Sequence, residues 1–114
     1  MKDEIKKIGK IVEEVITFFM YNYEVESNIE IKYKEKVIYM TFRFFPVNIN
    51  EKELIKLKKR FPVSRRPEME NYYWHLAGEV EDSSGVTLVC MMCDTCDMKV
   101  DNKTLMVELT RKIE

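Results

Sequence analysis

Three cysteines stand at regular spacing in the stretch "VCMMCDTCDM", residues 89–98: Cys90, Cys93 and Cys96. C-x-x-C-x-x-C opens an iron–sulfur ligand run, and thiolates at such spacing also hold zinc; either metal asks for four ligands. The chain offers one further soft donor, His75, its only imidazole. The bacterial ferredoxin run ends in a fourth Cys followed by Pro, and here the corresponding place is Val100. A second reading needs no metal. Cys90 and Cys93 share a helical arc with Val86 and Val89, while Cys96 opens a strand in alternation with Met98 and Val100. Cysteine packs like a small hydrophobe. The spacing therefore favours core thiols and no cofactor, with a Cys3His zinc site or an iron–sulfur site (Cys90, Cys93, Cys96, His75) as the alternative.

Two other groups of residues invite a functional reading. His75 sits in "NYYWHLAG" with no Cys or Ser beside it to activate, so it reads as a surface or interface residue rather than a general base. Tyr72, Tyr73 and Trp74 next to it make either a recognition patch or a helix face packed on a sheet. Charge is segregated: residues 51–66 carry seven Lys and Arg against two Glu, and residues 67–101 carry eight Asp and Glu against one Lys. With a net charge of −1 there is no global pull toward nucleic acid, which argues against it as a partner. A basic segment beside an acidic one reads as two solvated faces, or as a self-complementary or partner-facing surface.

The elements that must carry these residues follow from periodicity. The 114 residues suffice for one domain, spanning 1–114, with a single hydrophobic core. No apolar run approaches the roughly 20 residues that span a bilayer. The N-terminal "MKDEIKKIGKIVEEVITFF" has scattered charges and no small-residue cleavage site. The odd thiol count and the lack of an export signal point to the cytoplasm. Ile5, Ile8, Val12, Val15 and Phe19 recur at helical spacing and predict an amphipathic helix over residues 3–23. "NIEIKYKEKVIYMTFRFF" predicts a hairpin turning at Glu35-Lys36, its first strand with one wet face, and Pro46 ends the second strand. Asn50 and Glu53 form a capping-box pattern for a helix with Leu54, Leu57 and Phe61 on its apolar face and Lys52, Lys56, Lys59 and Arg60 on the other. "SRRPEME" opens a further helix running through Met69, Tyr72, Tyr73 and Leu76 to a stop at Gly78. "EVEDSSG" reads as a polar loop, "VTLVCMMCD" as a helix, and "CDMKVDNKTLMVELTRK" as two strands around Asp101-Asn102-Lys103. Strands grouped with strands and separated by helices give an α+β class, a two-layer sandwich with helices on one face of a mixed or antiparallel sheet.

That order, with "SSGVTLVCMMCDTCDMKVDNKTLMVELTRK" at one end and "VEEVITFFMYNYEVESNIEIKYKEKVIYMTFRFF" at the other, resembles the histidine-kinase-like ATPase fold, in particular its small anti-sigma-factor and serine-protein-kinase branch. Leu88-Val89, Asp94, Thr104 and the closing "ELTRK" fall in register with the family's lid helix and final strands. The resemblance implies an ATP–magnesium site, but its necessary atoms are missing. Aligning the first motif on Glu14-Val15-Ile16-Thr17-Phe18 keeps a Glu and puts a phenyl ring where the magnesium-holding Asn belongs. Phe44-Phe45-Pro46 stands where an adenine-binding Asp and two glycines are expected, and Ser83, Ser84 and Gly85 retain one lid glycine as a residual anion site.

The function expected from this pattern is a non-catalytic regulatory module that acts by protein–protein contact. The partners implied by the resemblance are a sigma factor, an anti-anti-sigma-type antagonist or a second copy of the chain. The expected surfaces are Lys56, Lys59, Arg60, Arg65 and Arg66, and the patch of Tyr72, Tyr73 and Trp74. The enzymatic alternative is a residual ATP-binding kinase or anti-sigma factor with Glu14 as base.

Overall fold

A computed structural model describes residues 2–73 and 84–113. In chain order the elements are α1 (Lys2–Asn22), β1 (Glu26–Lys34), β2 (Val37–Phe45), α2 (Glu51–Lys59), α3 (Pro67–Tyr73), α4 (Ser84–Met92), β3 (Thr95–Asp101) and β4 (Thr104–Lys112). The α+β class is as expected from the sequence. The sheet is wholly antiparallel, in the order β1-β2-β4-β3, so each hairpin contributes one central and one edge strand.

Period-2 alternation places Ile38, Met40, Phe42 and Phe44 of β2, and Leu105, Val107 and Leu109 of β4, on one face, all buried. Against that face lies the helical stripe Ile8, Ile11, Val15 and Phe19 of α1, joined by Leu88, Val89 and Met92 of α4. The opposite face of the sheet carries charged and hydroxyl side chains such as Asp97, Lys99, Glu108 and Thr110, and among the described residues no helix covers it. Burial of one helical stripe and one sheet face is the source of the fold's stability.

The local signals act where they were read. The Asn50 side chain accepts from the Glu53 N–H at 2.8 Å, and the Glu53 carboxylate accepts from the Asn50 N–H at 3.2 Å, completing the capping box. Both hairpins turn through two residues in the left-handed region, Glu35-Lys36 and Asn102-Lys103, with φ between 50° and 62°. These are type I′ turns, whose twist matches that of the strands they join. One expectation is corrected. β1 is exposed on both faces, because it is an edge strand and α1 packs inward of it, leaving Ile29, Ile31 and Tyr33 uncovered.

Candidate functional site

Two arrangements of polar side chains stand out, one buried and one open, and they share the segment 60–66. That segment follows α2 and is laced to the end of α4. The Ser64 N–H donates to the Cys90 carbonyl and the Arg66 N–H to the Met91 carbonyl, both at 2.9 Å. The next carbonyl, Met92, accepts from Arg111 at 2.6 Å. Three carbonyls that a helix C-terminus leaves without partners are thus satisfied by tertiary contacts.

Arg111 is the centre of the buried arrangement. It stands in the core-facing register of β4, after Leu105, Val107 and Leu109, and is fully withdrawn from solvent. Its Nε and Nη2 donate to Glu4 at 2.8 and 2.7 Å, and its Nη1 and Nη2 donate to Glu70 at 2.9 and 2.7 Å. With the bond to Met92, all five guanidinium N–H groups are used. Glu70, also buried, accepts in addition from Lys7 at 3.1 Å and Arg65 at 3.0 Å. Burial pushes the Glu70 carboxyl up, but the hydrogen bonds from Arg111 and Lys7 and the nearby positive charges outweigh it and bring it down to about 2. Arg65 reaches on to Asp94 at 2.9 Å, whose carboxylate also accepts the Lys112 N–H at 2.7 Å. The network ties α1, α3, α4 and β4 together and leaves no buried side-chain polar atom unpaired among the described residues. With every guanidinium N–H used and the side chain fully buried, Arg111 acts as a structural clamp among the described residues.

The open arrangement is a groove of about 440 Å³ between α4 and the segment that follows α2. Val86, Cys90 and Met91 form an apolar floor, and Lys59, Arg60 and Arg66 stand around it. Arg60 is fixed by its guanidinium lying 4.7 Å over the Phe18 ring. Lys56, Lys59 and Arg66 form no ion pair among the described residues. Lys56, Lys58 and Lys59 fill the last turn of α2, where the helix dipole favours cations. The arrangement can take an anionic group presented on an apolar body.

Of the residues singled out from the sequence, Lys59, Arg60 and Arg66 come together at this groove and Lys56 lies one turn away on α2. Arg65, expected on the same surface, is turned inward to Glu70 and Asp94. Tyr72 and Tyr73 end α3; Trp74, His75 and Ser83 lie outside the described residues, as do the predicted stop at Gly78 and residues 79–83 of the expected loop, while Ser84 and Gly85, expected to close that loop, instead open α4. The three thiols do not form a ligand set, and no cluster of three or more His, Cys, Asp or Glu that could hold a metal occurs among the described residues. Cys90 is in α4, Cys93 lies just past its end rather than on it, and Cys96 is in β3. Burial pushes the Cys90 thiol up to about 11, the Cys96 thiol to about 12, and the Cys93 thiol higher still.

The aromatic residues singled out from the sequence pack together in the core. Phe19 stacks on Phe44 at 4.6 Å and on Phe61 at 5.7 Å between centroids, and Phe18 meets Phe61 edge-on at 5.3 Å. Gly85 is packed so closely against α1 that a Cβ there would fall on the Glu14 carboxylate. That carboxylate is buried and raised in pKa by desolvation.

Glu4, Glu70 and Arg111 were not singled out from the sequence. The signal was present at Arg111, a cation in the apolar register of "TLMVELTRK". Its partners lie up to 107 positions away and carry no local mark. No protein-family model matches the chain, and comparison with curated proteins finds no match. No helix among the described residues is long and apolar enough to cross a membrane.

Proposed function

We propose that this protein is a non-catalytic regulatory module that captures an acidic, amphipathic segment of a protein partner in the groove between α4 and residues 59–66. The observation that carries this reading is the ring of Lys59, Arg60 and Arg66 around the apolar floor of Val86, Cys90 and Met91. Unpaired cations around an apolar floor complement carboxylates carried on apolar side chains, and charge complementarity of this kind sets partner choice and on-rate. The resemblance to anti-sigma factors of the histidine-kinase-like ATPase fold supplies the partner classes, a sigma factor or its antagonist, in the cytoplasm. On this reading the chain keeps the layered architecture of that fold, and aromatic side chains occupy what was its nucleotide site.

The test is a titration with a fluorescent peptide alternating Asp or Glu with Leu, against a Lys/Leu peptide, a mixed-sequence DNA duplex and millimolar ATP–magnesium. The acidic peptide is expected to bind with a salt-dependent affinity. Lys59→Glu with Arg66→Glu is expected to weaken it at least about tenfold while leaving the melting temperature unchanged. Binding that ignores the charge reversal, or DNA binding as tight as that of the peptide, overturns the reading. A rise in melting temperature with ATP–magnesium replaces it by the nucleotide-dependent alternative.

A further inference from the structure

At the opposite flank from the groove, β1 is, among the described residues, an unpaired sheet edge of nine residues, Glu26–Lys34. The other edge, β3, is packed by α2. Lys34 and Val37 flank a two-residue turn and are therefore a hydrogen-bonded pair. Alternate residues then direct their N–H and C=O groups to β2, and Ser27, Ile29, Ile31 and Tyr33 direct theirs outward. The side chains of Ile29, Ile31 and Tyr33 lie on the helix side of the sheet, in register with Phe42, Met40 and Ile38, yet are 40%, 50% and 56% exposed. The flank of α1 above them adds apolar surface. Met20 accepts a weak bond from Ser27 at 3.8 Å, and Ile16 lies on the same side, away from Glu14 and Lys7. An edge strand with apolar side chains at its open backbone groups is a template for another strand.

We propose that the occupant is β1 of a second copy of this chain, paired antiparallel about a twofold axis at Ile31. The charges choose both partner and register. With Ile31 opposite its own copy, Ile29 faces Tyr33 and Glu30 faces Lys32, each pair occurring twice by symmetry. This register also places Ile29, Ile31 and Tyr33, residues with outward backbone groups, against one another. Sliding one strand by two residues sets Glu30 against Glu30 or Lys32 against Lys32, and directly opposed like charges are destabilising. Within one strand Glu30 and Lys32 lie 3.8 Å apart. The dimer turns that exposed pair into four charges of alternating sign on the helix-free face. The result is one eight-stranded sheet with the two α1 helices on the same side, flanking the apolar furrow of Ile29, Ile31 and Tyr33 from both copies. Nothing in this assembly uses the groove, so it stands or falls apart from the proposed capture of an acidic segment.

Sedimentation velocity on the full chain across the micromolar range tests it. The wild type is expected to dimerise. Ile31→Lys, at a half-exposed position, places two ammonium groups at the axis and is expected to give a folded monomer by circular dichroism. Lys32→Glu and Glu30→Lys are each expected to weaken the dimer about tenfold, because each makes two opposed pairs alike. An equimolar mixture of these two variants is expected to restore it, since every opposed pair is again of opposite sign. A wild type that stays monomeric at several hundred micromolar overturns the proposal. So does a dimer indifferent to Ile31→Lys, open-ended oligomers in place of a dimer, or a mixture that fails to reassociate.

Discussion

Arg111 and Glu70 meet inside the protein with both side chains removed from water, joined by two parallel hydrogen bonds of 2.9 and 2.7 Å. One comes from the last strand and the other from α3, and Glu4 of α1 closes on the same guanidinium. The pair is a clamp across the helical layer, and its energetics depend on its completeness.

Arg111→Met removes the cation and leaves Glu70 buried with two carboxylate oxygens short of donors. A loss of about 3–5 kcal/mol is expected, the range for breaking a buried pair from one side. Urea denaturation measures it. Arg111→Met with Glu70→Leu is expected to recover part of the loss, because the double change also removes the buried carboxylate that has lost two of its four donors.

The same pair sets an acid limit. Glu70 has a folded-state pKa of about 2 against an ordinary 4.5, and Glu4 is lowered too, first by its hydrogen bond from Arg111. A carboxyl depressed on folding contributes fully above its unfolded pKa and loses that contribution as pH falls through its folded one. Stability is therefore expected to fall most steeply between pH 4.5 and 2. Urea midpoints recorded across this range should show the slope, and Glu70→Gln should flatten it.

Glu14 is raised by burial, so its ionised form opposes folding, and its contact with Gly85 leaves no room for a side chain there. Gly85→Ala is expected to cost about 1 kcal/mol through overpacking, since only a flexible carboxylate has to give way. In a Glu14→Ala background the cost should vanish. Thermal melts of the four proteins in the cycle measure the coupling. For Glu14 alone the sign is opposite to that of Glu70: its burial penalty grows as pH rises through 4.5, so Glu14→Gln is expected to be neutral or stabilising at pH 7.

Cys90 and Cys93 are buried and all three thiols are raised, so thiolate is scarce in the folded protein. Labelling by iodoacetamide at pH 8, followed by mass spectrometry, should be slow at each of them in the native protein and complete in urea. Cys96, half-buried on β3, is expected to label first.

Much of this architecture was legible in the chain because its signals are local. The 3.6-residue stripe of α1 and the reciprocal caps at Asn50 and Glu53 act over a few residues and survive whatever packs on them. The same holds for the alternation in β2 and β4. The thiol spacing was legible too, and the tertiary structure sets the thiols on different elements, with a helix end between Cys90 and Cys96.

The sequence by itself determined the elements, their order and the apolar faces they turn to one another, since helix and strand periods are properties of neighbouring residues. It also determined the segregation of charge that makes residues 51–66 basic. Only the tertiary structure decided which charges are spent inside and which remain outside. Arg65 and Arg66 are neighbours with the same charge, yet one closes on Glu70 and Asp94 and the other stands at the groove. The reason is physical: ion-pair partners are found through space, across separations of 5 to 107 residues here, and no period of the chain encodes them. Strand order likewise left β1 at an uncovered edge, giving Ile29, Ile31 and Tyr33 an apolar face without a helix to bury it.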